Sequence, residues 1–304
     1  SPHSPPMNPI LRQLGFSSTD RVVVLHADDI GMCQATLPAY ETLSGSGAIS
    51  SAAVMVPCPW FNGLAEQCRR RAGDPQVDLG VHLTLTSEWD SYRWRPLSTV
   101  DPASGLLDGE GYFPSRARPV YQGADLAAVR AELTAQVQRA LAAGIDVTHV
   151  DSHMLTLFHP RLLPAYIDTA RQFALPPFLV QIPPDRQSDM GHDAETIALS
   201  QRLISEAAED GLPIFDFFAV LSLDDPEHKA DEMRTLLSEL PAGLSIVLFH
   251  PAVDTPELRA LAPDWRCRVA DYALFSGDLL PRLLDEAGVQ VIGFRALRDA
   301  MRDS

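Results

Sequence analysis

The sequence predicts an α/β fold of the distorted (β/α)-barrel, TIM-barrel-like kind, with mostly parallel strands and a long loop insertion after the third strand. Three observations predict it. Short β-rich runs alternate with longer helical patterns almost from end to end. The β-rich runs are continuously apolar, as parallel strands covered on both faces must be. About eight such units fit into 304 residues, which favours a closed or nearly closed barrel over an open sheet.

The first four strands are expected at "RVVVLH" (21–26), "AISSAAVMV" (48–56), "VDLGVHLTL" (77–85) and "DVTHVD" (146–151). Four more follow at "PFLVQI" (177–182), "FDFFAV" (215–220), "LSIVLF" (244–249) and "VQVIGF" (289–294). The clearest helices are 125–144, whose apolar positions recur at helical spacing up to Gly144, and 192–211. The segment 86–123 is rich in Pro, Gly and aromatics, and a loop of that length usually forms a lid or binding wall. There is no internal repeat and no low-complexity linker, so residues 20–304 are expected to form a single domain. Residues 1–19 are expected to be an N-terminal extension, its first six residues a vector remnant before Met7.

Composition narrows the function. A chain that is 46% hydrophobic can bury a full core, and a formal net charge of −16 argues against nucleic acid or an anionic membrane as partner. A neutral or cationic small substrate fits better, and a homodimer stays open. Cys33, Cys58, Cys68 and Cys267 lie far apart, which points to reduced thiols in a cytoplasmic protein rather than a zinc knot. No apolar run approaches the roughly 20 residues that span a bilayer.

In (β/α) barrels reactive groups sit where strands end. Here the first strand runs into "HADD", the third carries His82 in "GVHLTL", the fourth ends in "THVDSH" and the seventh in "LFHP" with His250. One Asp with two His is a common seat for Zn²⁺ or a similar divalent ion that leaves room for water and substrate. A second carboxylate can take a proton from that water and a further His can deliver one to a leaving group. The parts suit metal-assisted hydrolysis. Asp151, two residues before His153, could orient an imidazole.

The chain closely resembles the YdjC-like carbohydrate deacetylases, the family of chitooligosaccharide deacetylase. Four motifs carry the resemblance in order: "ADDIG" (27–31), "GVHLTL" (80–85), "THVDSH" (148–153) and "FHP" (249–251). By position, it implies one divalent ion, Zn²⁺ or Mg²⁺, held by Asp29, His82 and His153. Asp28 would be the general base and His250 the general acid, and the reaction would remove N-acetyl from an amino sugar. In the family, two alternating histidines usually follow "DSH"; Leu155 and Leu157 stand there instead, which bears on substrate. Trp89, Tyr92 and Trp94 in the long loop are candidates for stacking on a sugar face, their plainer reading being local core for that loop.

Plainer readings exist for each residue. Asp28 and Asp29 could cap a helix, His82 could be a core histidine, and His250 could serve backbone alone. His26 and His149 share the even spacing of Asp28 and Asp151 and so could also face inward. His159 reads as a loop residue, and Cys33 and Cys58 as packing. Two competing functions remain at this stage. One is a metal-independent glycoside hydrolase pairing Asp28 or Asp29 with Asp151; the other is a non-catalytic carbohydrate-binding protein.

Overall fold

In the computed structural model, which describes residues 6–304, seven strands form one parallel sheet. They are β1 (Arg21–Ile30), β2 (Ser51–Val54), β3 (Leu79–Leu83), β4 (Val147–Ser152), β5 (Phe217–Val220), β6 (Gly243–Phe249) and β7 (Gln290–Val291). Residues 1–5, most of the expected vector remnant, lie outside the described residues. The strand order is β4-β3-β2-β1-β6-β5, with β7 pairing the start of β1. The two expected helices are present as Leu126–Ala142 and Ala194–Glu209.

The sheet curls like a barrel but does not close. The run predicted as a fifth strand, 177–182, makes only isolated bridges, Val150 with Pro177 and Val180 with Phe215. The cause is local: Pro176–Pro177 and Pro183–Pro184 bracket it, and proline has no N–H to donate to a ladder. What remains is a pair of hydrogen bonds on each side. Val150 N–H donates to the Pro176 carbonyl at 3.1 Å and Phe178 N–H to the Val150 carbonyl at 2.8 Å; Phe215 N–H donates to the Leu179 carbonyl at 2.8 Å and Gln181 N–H to the Phe215 carbonyl at 3.1 Å.

The two-residue period of the strands sorts side chains into an outer and an inner set. Val23, Leu25 and Ala27 of β1, with Leu79, Val81 and Leu83 of β3, join the large cluster that includes the helices' buried faces. Val22 and Val24 of β1 and Leu244, Ile246 and Leu248 of β6 pack instead with Phe178, Phe215 and Phe294 in a second cluster. The same inward register continues to His26 and Asp28 on β1, His82 on β3, His149 and Asp151 on β4 and His250 after β6. An apolar floor thus lies under a layer of polar groups. Ile10 and Leu11, from the helix Pro9–Gln13, are buried in the apolar cluster, so this part of the expected extension packs on the fold.

Gly80 marks how tight the inner layer is. A Cβ there would stand 2.4 Å from the His149 ring, so only glycine lets the imidazole lie across β3. The ring stacks on Phe294 with centroids 3.7 Å apart.

The long insertion is anchored rather than loose. Trp94, Leu106, Phe113 and Val120 are buried, and Glu132 of the helix Leu126–Ala142 accepts from Ser98 N–H at 2.8 Å and Ser98 Oγ at 2.7 Å. Among the described residues no helix is long and apolar enough to cross a membrane.

Candidate metal centre

A regular strand would send Asp28 and Asp29 to opposite faces. β1 avoids this with a register shift between Ala27 and Ile30 and with Asp29 in the left-handed region, φ 62°. Asp tolerates that conformation better than most residues. Gly31 follows at φ 85°, and the chain turns toward the helix Thr36–Gly45. Both carboxylates thereby come to the rim.

Asp29, His82 and His153 converge there. Asp29 Oδ1 lies 3.2 Å from His82 Nε2 and 3.1 Å from His153 Nδ1, and the two ring nitrogens are 3.3 Å apart. All three side chains are buried. Each presents its one free atom because the other is already engaged. His82 Nδ1–H donates to Asp151 Oδ1 at 2.7 Å, leaving a lone pair on Nε2. His153 Nε2–H donates to Glu88 Oε1, leaving a lone pair on Nδ1. Arg268 donates to Asp29 Oδ2 at 2.9 Å, leaving Oδ1. With both imidazoles neutral, three acceptors point at one another and repel unless a cation sits among them; without a metal ion, protons fill that role and both rings are raised accordingly. Bonds of about 2.0–2.1 Å at tetrahedral angles would space such atoms by roughly 3.3 Å, so the triangle fits a small divalent ion.

The charges agree. Burial alone would raise the Asp29 carboxyl, but His153, His82 and Arg268 hold it well below the usual range. Burial pushes the His153 ring down, yet the carboxylates of Glu88 and Asp29 outweigh it and carry it to about 9. His82 is likewise raised against its burial, by Asp151 and Asp28.

Asp28 stands beside the triangle without belonging to it. Its Oδ1 accepts from His26 Nδ1–H at 2.7 Å, and its Oδ2 lies 3.6 Å from His250 Nε2. His250 Nδ1 is buried without a hydrogen-bond partner among the described residues. Its backbone N–H donates to Asp271, which ion-pairs with Lys229 at 3.0 Å.

Beneath lies an inner network. His26 Nε2 is 2.9 Å from His149 Nε2 and 3.2 Å from Asp151 Oδ2, and His149 Nδ1 is 2.9 Å from Thr148 Oγ1. Burial holds His149 well below the ordinary imidazole range, with His26 adding to the effect. Two further groups, His26–His149–Asp151 and Asp28–His82–Asp151, are also compact enough for an ion. In the second, His82 Nδ1 and Asp151 Oδ1 are bonded to each other; the first is sealed below the rim.

Of the two readings of the loop aromatics, burial favours local core. Trp89 and Trp94 are only 7% and 3% exposed, and with Tyr92 they form the loop's own core, centroids 5.9–6.2 Å apart. Trp94 Nε1–H donates to the Thr86 carbonyl at 2.7 Å and Tyr92 Oη–H to the Met32 carbonyl at 2.6 Å. Trp89 and Trp94 therefore offer no open ring face for a sugar. Trp94→Ala is expected to cost about 3–5 kcal/mol of stability, read from urea denaturation; an unchanged midpoint would contradict the packing role. Leu157 is fully buried, Leu155 partly, and Cys33 and Cys58 are buried with thiols raised by burial.

Sequence reasoning missed Glu88 and Arg268. Glu88 was within reach, because it directly precedes Trp89 in a loop that leaves β3 only a few residues after His82. Arg268 is 239 residues from Asp29 and carries no local signal.

Fold and site together define the class: a parallel α/β protein of the distorted (β/α)-barrel kind, its sheet not closed, with a buried Asp–His–His cluster at the rim that could hold a metal ion. The chain belongs to the YdjC-like protein family, whose pattern matches residues 22–286. It is 33% identical over 292 residues to a carbohydrate deacetylase of Thermus thermophilus, covering 96% of this chain and 99% of that one. A carbohydrate deacetylase of Thermoanaerobacter pseudethanolicus is 25% identical over 238 residues, 78% of this chain and 84% of that one. Among solved structures, an Enterococcus faecalis protein described as a cellobiose-phosphate cleavage protein superposes with a TM-score of 0.74. It shares 20% identity over 91% of this chain and 99% of that one, a likeness of fold.

Proposed function

We propose that this chain is a metal-dependent hydrolase that removes the N-acetyl group of an amino sugar, oligosaccharide or related glycoconjugate. The observation that carries the reading is the convergence of Asp29 Oδ1, His82 Nε2 and His153 Nδ1, each backed by a partner on its other atom. The names of the relatives support the same activity. Two imidazoles with one carboxylate suit Zn²⁺ better than Mg²⁺, which prefers oxygen ligands.

A divalent ion held by Asp29, His82 and His153 would supply polarisation of the amide carbonyl and a water acidic enough to react near neutral pH. The residues around it do the proton work. Asp28, fixed at Oδ1 by His26, keeps Oδ2 free to take a proton from the attacking water. His250 Nε2, across from that oxygen, returns a proton to the departing amine. Burial excludes competing solvent and strengthens both transfers.

The glycoside hydrolase reading requires Asp151 as a free carboxyl. Its two oxygens face His82 and His26 instead, at 2.7 Å and 3.2 Å. The same account takes 20–304 as one domain with a small N-acetylated sugar as partner. It places the protein in the cytoplasm, supported by four cysteines that form no disulfide. Treatment with EDTA is expected to abolish acetate release from N-acetylglucosamine oligomers, and Zn²⁺ to restore it. Hydrolysis that continues unchanged after chelation would sink the mechanism.

A further inference from the structure

A second concavity opens on the same rim, in the gap between β4 and β5. Its volume is about 200 Å³, and its near wall is the segment 154–159 that leaves His153. Met154, Leu155, Phe158, Val180, Ile204 and Phe218 give it an apolar interior. Several of its polar neighbours are engaged elsewhere, while Gln181, His192 and Ser200 also line it. Gln187 and Gln201 both donate to the Ile182 carbonyl, at 2.9 Å and 2.8 Å. His159 lies stacked under Tyr121 with centroids 4.2 Å apart and accepts from Arg161 N–H.

The backbone beside His153 is bent to build this wall. Met154 and Leu155 are successive non-glycine residues in the left-handed region, φ 56° and 51°. L-residues rarely adopt that conformation, and such local strain tends to collect at ligand clamps. An apolar cavity of about 150 Å³ accepts a benzene ring, so this one has room for a ring or a short alkyl chain.

We propose that this cavity takes an apolar group carried by the substrate, so that the preferred substrate is an N-acylated amino sugar bearing an aryl or alkyl substituent. The inference rests on the deacetylase reading for the sugar and on the cavity for the substituent. The substituent reaches the cavity either from the anomeric oxygen or as a longer N-acyl chain, and the experiment separates the two.

Dissociation constants are measured by calorimetry on metal-loaded Asp28→Asn protein, which limits turnover during the titration. The probes are N-acetylglucosamine, its phenyl β-glycoside and N-hexanoylglucosamine. At least one apolar probe is expected to bind roughly tenfold more tightly than N-acetylglucosamine. A gain for the phenyl glycoside assigns the anomeric route, and a gain for the hexanoyl compound the acyl route. The gain should vanish in Leu155→Asn, a residue that accepts the left-handed backbone readily, and in Leu155→Trp, which fills the space. Equal binding of all three probes, or a gain that survives both Leu155 variants, overturns the proposal. Acyl release by the wild-type protein is followed in parallel. Apolar selectivity without metal-dependent release would defeat the deacetylase reading and leave the cavity assignment standing.

Discussion

Asp28→Asn is expected to retain its metal and to lose most of its turnover, roughly 10²–10⁴-fold in kcat. The substitution is close to isosteric. Its side-chain oxygen can still accept from His26, so the inner network keeps its geometry. None of the three converging atoms belongs to Asp28, so the cation seat is untouched. What disappears is a carboxylate able to take a proton at the place where Oδ2 now faces His250. Acetate release and metal content are measured on the same preparation. Turnover within a few fold of wild type would show that the base lies elsewhere.

His153→Ala is expected to lose the ion itself. It removes one of three donors and leaves Glu88 and Asp29 without their shared partner. Metal affinity should fall by more than about 100-fold, whereas Glu88→Gln, which disturbs only the supporting bond, should cost about 10–100-fold. The pH dependence has a definite sign. In the metal-free protein His153 titrates near 9, so at neutral pH a proton must leave before the nitrogen can bind an ion. Affinity should therefore weaken as pH falls below about 9. Competition against a chelator of known affinity, at several pH values, reads both effects. Equal metal content in wild type and His153→Ala would remove His153 from the site.

Much of this was legible in the chain because strand periodicity and strand ends are local features. The even spacing of His26 with Asp28, and of His149, Asp151 and His153, put them on one inward register, as the structure has them. The adjacency of Asp28 and Asp29 was legible as a motif, but the bulge that brings both to the rim was not, since period-two alternation would have separated them. The weak fifth strand follows from proline chemistry that was visible in "PPFLVQIPP", yet its apolar content spoke for a full strand. Trp89 and Trp94 could be read as ligand platforms or as loop core, because aromatic content does not reveal which way a loop folds on itself. Arg268 became meaningful only once the helix Trp265–Ser276 was seen to lay it against Asp29.

The most direct test of the central claim is anomalous X-ray scattering from crystals of the zinc-loaded protein. The account predicts an ion bonded at about 2.0–2.2 Å to Asp29 Oδ1, His82 Nε2 and His153 Nδ1. Zinc held instead among His26, His149 and Asp151, or bound to a protein whose Asp29, His82 and His153 leave it uncoordinated, would contradict it.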